Sequence, residues 1–264
     1  MNLIKADFYR IVRDKILYAL VAAIVILTFI VVYVYQLMDV QGIENVGDIL
    51  LKCIGTDTLC TILGVATAFF MGKDYEQNTI RGKLCYGESR YKIYFSKLIE
   101  GYLLAMLFFA VAAISGAVFG GIWYEHQLGE DFWNILFCQF AIVIAFSSAM
   151  TTICVCSKSI RVPLIVTILF FVILNPVTIF LPQMQMSTVT KYICRGLYSV
   201  VSSMLLASTG NVYEAVRTSW ENGIRTEQIT EFSNMYQNAL MIAAGYTIVS
   251  IVIAFIVVRK QEYK

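Results

Sequence analysis

The chain has a single histidine, His126, in the short stretch 123–133. Metal sites of the His-x-Glu-x-x-His kind need two histidines on one helix face, so they are excluded. A Ser–His pair would need a presented serine, and no Gly-x-Ser-x-Gly elbow exists. His126 therefore reads as a solvated loop residue. Cys154-x-Cys156 has the donor type for a metal, yet no second cysteine pair or histidine stands near to complete four ligands. Cys53, Cys60, Cys85, Cys138, Cys154, Cys156 and Cys194 mostly fall in or beside apolar runs. They read as small buried hydrophobes, not as a disulfide framework. Phosphate-loop chemistry fails as well. Gly72-Lys73 and Gly82-Lys83 have Thr67 and Gln77 where the loop needs glycine, and Asp74 and Leu84 where it needs Ser or Thr. The chain does not hydrolyse ATP through such a loop.

Three polar residues sit inside apolar runs and could line a path for a solute: Asp57, Thr61 and Asn175. A carboxylate deep in a bilayer costs roughly 2.5–3.5 kcal/mol on insertion scales, and such acids default to function. Asp57, within Gly55-Thr56-Asp57-Thr58, lies near the end of its run and could equally reach headgroups or water. Asn175 precedes Pro176, which frees a backbone carbonyl and predicts a kink.

The elements that must hold these residues follow from composition. Hydrophobic residues make up 59% of the 264 and charged ones only 14%, against about a quarter charged in soluble domains. Runs of roughly 20 apolar residues, the length that crosses a hydrocarbon core, recur six times. They predict helical spans over 16–36, 53–72, 101–122, 134–156, 162–181 and 239–258, because backbone groups cannot go unpaired in lipid. The first run is longer than a signal-peptide core and no small-residue cleavage site follows, so it reads as an anchor that stays. Residues 192–208 are fairly apolar, but their uninterrupted stretch suits an interfacial or re-entrant helix better than a span. The expected fold is an all-α membrane protein with six transmembrane helices, one domain over 1–264, with an external segment at 182–238.

Orientation follows from the cations. Of the 20 Lys and Arg, 15 lie before the first predicted span, between two and three, between four and five, or after six. That bias places both termini in the cytoplasm. Residues 2–15 carry Leu3, Ile4, Phe8, Ile11 and Val12 at near-helical spacing beside Lys5, Arg10, Arg13 and Lys15. They read as an amphipathic helix on the inner membrane surface, with lipid as its partner. Small residues recur at four-residue spacing, as Gly64, Ala68 and Gly72 and as Ala112, Gly116 and Gly120. Such stripes let helices approach closely, within one subunit or between two. Nothing in the chain suggests a nucleic-acid partner.

The stretch 73–97 between predicted spans two and three is the most informative. It reads as a short charged helix, a turn at Gly87 and a basic amphipathic re-entry, with an apolar stripe from Ile80, Leu84 and the aromatics. A bare solvent loop has no use for that stripe, which suits docking on membrane or protein. The stretch resembles the permease subunits of ABC transporters of the second, exporter-type family. The matching residues are Glu76, the run Asn78-Thr79-Ile80-Arg81, the turn Gly87-Glu88-Ser89-Arg90 and Lys97. Asn78 departs from the glycine that family members often carry; asparagine also tolerates turns.

The resemblance implies that this stretch is a coupling helix seated in a groove of an ATP-binding subunit. Asp74, Tyr75, Glu76, Thr79, Ile80, Arg81, Leu84, Ser89 and Arg90 would carry that contact. It implies a dimer of permeases, homo- or hetero-, with two ATP-binding subunits. ATP and Mg would sit on those partners, with no cofactor on this chain. Small members of this kind resemble exporters of the bacterial plasma membrane that give resistance or immunity to peptide antibiotics and lantibiotics. A non-transporting sensor or scaffold, and an intramembrane enzyme, are the alternatives.

Overall fold

The computed structural model describes residues 2–38, 45–54, 56–77, 79–124, 127–128, 132–169, 213–221, 224–231 and 235–260. Helix α1 (Asn2–Arg13) is followed after one residue by α2 (Lys15–Met38). Asp14 makes the joint: its Oδ1 accepts from the Ile16 N–H at 3.1 Å and its carbonyl from the Leu17 N–H at 3.1 Å. That is the capping expected of an aspartate where one helix stops and the next begins. Next come α3 (Val46–Cys53) and α4 (Thr56–Thr67), a π turn over Ala68–Gly72, and the short helices α5 (Lys73–Glu76) and α6 (Thr79–Cys85). Helices α7 (Arg90–Trp123), α8 (Phe132–Ser157) and α9 (Arg161–Leu169) follow. Strands β1 (Tyr213–Glu221) and β2 (Ile224–Glu231) form an antiparallel hairpin, and α10 (Met235–Lys260) closes the described chain.

Among the described residues, three helices are long and apolar enough to cross a membrane: Lys15–Leu37, Arg90–Trp123 and Phe132–Ser157. These correspond to the first, third and fourth predicted spans. Helix α10 contains the sixth predicted span, with Ala243–Arg259 as its apolar segment among the described residues. The second predicted span is helical but not one helix. It breaks between Cys53 and Thr56, and Thr56-Asp57-Thr58 supplies residue types that favour helix starts over helix interiors. The fifth is described only as far as Leu169. Asn175, Pro176, His126 and the stretch 192–208 lie outside the described residues. The segment 182–238, expected to be external, departs from an all-helical fold, because it contains the hairpin, in register from Val216 opposite Ile229 to Glu221 opposite Ile224.

Helix α8 is central and packs on α7, α4 and α10, while α2 lies along α7. Phe29 of α2 meets Phe119 edge-on with centroids 5.3 Å apart and Trp123 at 6.2 Å. The small-residue stripes act within the subunit. A Cβ on Gly64 would stand 2.5 Å from Thr167 Oγ1, and one on Gly72 would stand 2.8 Å from the Ile160 Cα. Gly120 meets Ile49 and Gly101 meets Ser147 and Thr151 in the same way. A backbone carbonyl freed near a helix end needs a donor when it is buried, and one side chain of α8 supplies it. Gln139 Nε2, fully buried on α8, donates to the Leu51 carbonyl in the last turn of α3 at 3.1 Å.

Helix α7 has 34 residues, about 51 Å at 1.5 Å per residue, which exceeds the roughly 30 Å of a hydrocarbon core. Its long apolar stretch begins at Gly101. The preceding turns carry Lys92, Lys97 and Glu100 and extend beyond that stretch.

Candidate functional site

The expected coupling stretch folds as α5, α6 and the start of α7. Gly87, at φ +85°, makes the turn between the last two, a conformation that costs glycine little and other residues more. Ser89 is the N-cap of α7, and its side chain accepts from the Lys92 N–H at 3.3 Å. The Ser-Arg pair of the motif is therefore a helix start. Tyr75, Ile80, Leu84, Arg90, Ile93, Tyr94 and Val258 line a shallow groove at the base of α7 and α10. This is where the apolar stripe of the stretch goes: Ile80 is buried and Leu84 half-buried against the subunit itself. Glu76, Arg81 and Tyr86 are exposed, Tyr86 by 92%. Glu76 Oε1 accepts from the Ile160 N–H at 3.0 Å, which ties the stretch to the turn between α8 and α9. Thr79 is half-buried.

Asp74 is the surprise of the stretch. It is 1% exposed and sits at the centre of a buried ionic knot. Arg10 of α1 reaches it with both guanidinium nitrogens, the second at 2.6 Å. Lys97 pairs with Asp74, with Glu100 at 2.5 Å and with Asp7 at 3.7 Å. Lys83 pairs with Asp7 at 2.7 Å, and the Ser96 hydroxyl donates to Asp7 at 3.2 Å. Arg10, Lys83 and Lys97 thus balance Asp7, Asp74 and Glu100. Further out, Lys73 lies 3.8 Å from Asp14.

One carboxylate oxygen from each of Asp7, Asp74 and Glu100 lies within 4.8 Å of the others, a set of hard oxygen donors of the kind divalent cations use. The Lys97 ammonium already pairs with all three. A dication added to this balanced set would leave excess positive charge buried, which is strongly unfavourable. The arrangement suits a structural cross-link rather than a metal centre.

Burial by itself would push the Asp74 carboxyl up. The hydrogen bond from Arg10 and the charge of Lys97 outweigh it, and the group is held below the ordinary carboxylate range. A carboxylate depressed in the folded state stabilises that state above its unfolded value of about 3.9, and the contribution is lost only as pH falls through the lower folded value. Attachment of α1 to the 73–97 stretch is therefore expected to persist at pH 5. Hydrogen exchange of the α1 amides checks this: protection should match at pH 7 and pH 5 in the natural chain and fall at both in Asp74→Asn.

Of the other predicted path residues, Thr61 is half-buried in α4, and Asp57 lies in the first turn of α4 with its side chain outside the described residues. Sequence reasoning missed Asp7, Arg10, Lys83, Ser96 and Glu100 as site residues. A usable signal was present. Asp7 and Arg10 are an i, i+3 pair on one face of α1, and Lys97 with Glu100 form an i, i+3 pair at the mouth of an apolar run.

No curated protein matches the chain. A family model described as ABC-2 family transporter protein matches residues 3–175. The match spans the amphipathic helix, the knot and the 73–97 stretch, and it covers more than half of the chain. The chain belongs to the ABC-2 transporter family, as its membrane component and not its ATPase.

Proposed function

We propose that this chain is the membrane-embedded half of an ATP-driven exporter of the bacterial plasma membrane. Its substrate class would be amphipathic, such as a peptide antibiotic, a lantibiotic or a lipid-like molecule. Family membership carries the general expectation of ATP-binding partner subunits. In this reading two of them bind ATP and Mg and dock on the 73–97 stretches of two permeases, identical or homologous. Both termini lie in the cytoplasm, as the distribution of Lys and Arg supports.

The observation that carries the reading is the ionic knot. A segment that merely linked two spans would not need three ion pairs, each with a buried carboxylate, to a helix 64 or more residues earlier. Through the knot, the hydrogen bond from Ile160 and the groove at Val258, a push on α5 and α6 reaches α1, α7, the α8–α9 turn and α10 together. Discrete packed contacts of this kind are what transmit displacement between rigid elements.

The test is co-purification with the ATP-binding subunit in mild detergent. The natural chain should carry the ATPase. Glu76→Ala and Arg81→Ala should each reduce the ATPase recovered, and both together by about five- to tenfold, the range for interface anchors. Membrane insertion should not change. Full ATPase recovery and substrate efflux in the double variant would reject the assignment of the docking stretch. A chain that carries no ATPase at all would favour a sensor or scaffold instead.

A further inference from the structure

Helix α1 segregates its charges by sign. Its buried acid, Asp7, and the acid at its end, Asp14, are paired with Lys83, Lys97 and Lys73 of the coupling stretch and α7. Lys5, Arg13 and Lys15 are exposed, and among the described residues no acid pairs with them. Arg10 is the one cation of α1 drawn to an acid, Asp74. Lys5, Tyr9 and Arg13 recur every four residues and form one stripe. The Arg13 guanidinium lies 5.2 Å from the centroid of the Tyr9 ring. Tyr9 within the stripe is 61% exposed, its neighbour Phe8 44%, and Tyr18 in the first turn of α2 60%.

We propose that this stripe is a binding surface for anionic phospholipid headgroups of the inner leaflet. The proposal rests on the reading of α1 as an interfacial helix. Three observations select a lipid surface as the occupant. The charge is complementary, since every exposed ionic group on the stripe is a cation. The aromatic side chains beside it are of the kind that settle at headgroup depth, whereas an acidic protein segment on the same cations would leave Phe8 and Tyr18 in water. The stripe also continues without a loop into the apolar helix α2, through Asp14 alone. Because the opposite side of α1 is knotted to Asp74 and Lys97, headgroup binding also holds the coupling stretch at a fixed depth.

The test uses the full chain in mild detergent, exchanged into mixed micelles holding equal dioleoylphosphatidylglycerol and dioleoylphosphatidylcholine. Native mass spectrometry then counts the lipid retained after gel filtration. The natural chain should retain phosphatidylglycerol over phosphatidylcholine, and 0.5 M NaCl should abolish the preference. Arg13→Gln should lower phosphatidylglycerol retention about fivefold, the weight of one cation at an anionic surface. Arg13→Lys should stay within about twofold of the natural chain. Lys92→Gln, at an exposed cation nine residues before the apolar stretch of α7 and paired with Glu88, should change nothing. Equal retention of the two lipids by the natural chain, or equal losses from Arg13→Gln and Lys92→Gln, would overturn the proposal. So would collapse of Arg13→Lys to the Arg13→Gln level, because charge would then not be what is recognised. No ATP-binding subunit is needed, so failure here leaves the transporter reading intact, and failure of ATPase co-purification leaves this one intact.

Discussion

Replacing Lys97 by methionine should be the most damaging single substitution in the ionic knot. The ammonium is 1% exposed and serves Asp7, Asp74 and Glu100 at once. Methionine fills similar space and supplies no charge, so three carboxylates would share the two cations Arg10 and Lys83. Breaking a buried pair from one side costs about 3–5 kcal/mol, because the partner charge stays buried and uncompensated. Glu100 suffers most: its Oε2 bonds to Lys97, and its Oε1 is buried with no partner among the described residues. The expected result is a melting temperature lower by roughly ten degrees, read as loss of the monodisperse peak after heating. Adding Glu100→Gln removes the orphaned charge and should restore about half of that loss. A double variant no better than Lys97→Met would show that the pairing, not the charge balance, is what matters.

The second large effect lies where α4 crosses α9. A methyl group on Gly64 would meet Thr167 Oγ1 at 2.5 Å and Cγ2 at 2.6 Å. Thr167 cannot turn away cheaply: it is β-branched and its hydroxyl donates to the Pro163 carbonyl at 2.8 Å. Overpacking of this kind costs about 1–3 kcal/mol. Gly64→Ala should therefore lower thermal stability, Thr167→Ala should lower it less, and the double variant should be more stable than Gly64→Ala alone. That sign of coupling is the check, since residues out of contact would give additive losses. Gly72 offers no such rescue, because its neighbour at 2.8 Å is the Ile160 backbone.

Long apolar periodicity made the first, third and fourth spans legible from the sequence, because only length and hydropathy decide them. The interruption at Cys53–Thr56 was less visible. Glycine and threonine are frequent enough in membrane helices that their presence at 55–58 does not by itself announce a break. The stripes at Gly64, Gly72, Gly116 and Gly120 announced close contact but not between which helices. That depends on Thr167, Ile160, Cys53 and Ile49, which lie far along the chain. In the 73–97 stretch the turn at Gly87 was legible, since a positive φ is a local property, whereas Ser89 reads as a docking contact and is the N-cap of α7. Asp74 was not legible either. As one charged residue in a charged run it suited a docking face, and only the approach of α1 and α7 reveals that it is buried. Burial of a charge is a tertiary fact, because it requires counter-charges that no local window contains.

The distances along the chain that separate the knot's partners also order its assembly. Arg10 and Asp74 are 64 residues apart, Asp7 and Lys83 76, and Asp7 and Ser96 89. While the chain is being synthesised, α1 and α2 are complete long before any of these partners exists. During that interval Asp7 has neither Lys83 nor Lys97, and α1 has no protein surface to bury against. Non-local contacts form only after the intervening chain is made and its ends have met. The knot is thus a late event that requires the start of α7 to stand beside α1. A chain inserted with its third span misplaced could not close it, and would keep three buried-type carboxylates in water as the mark of its misassembly.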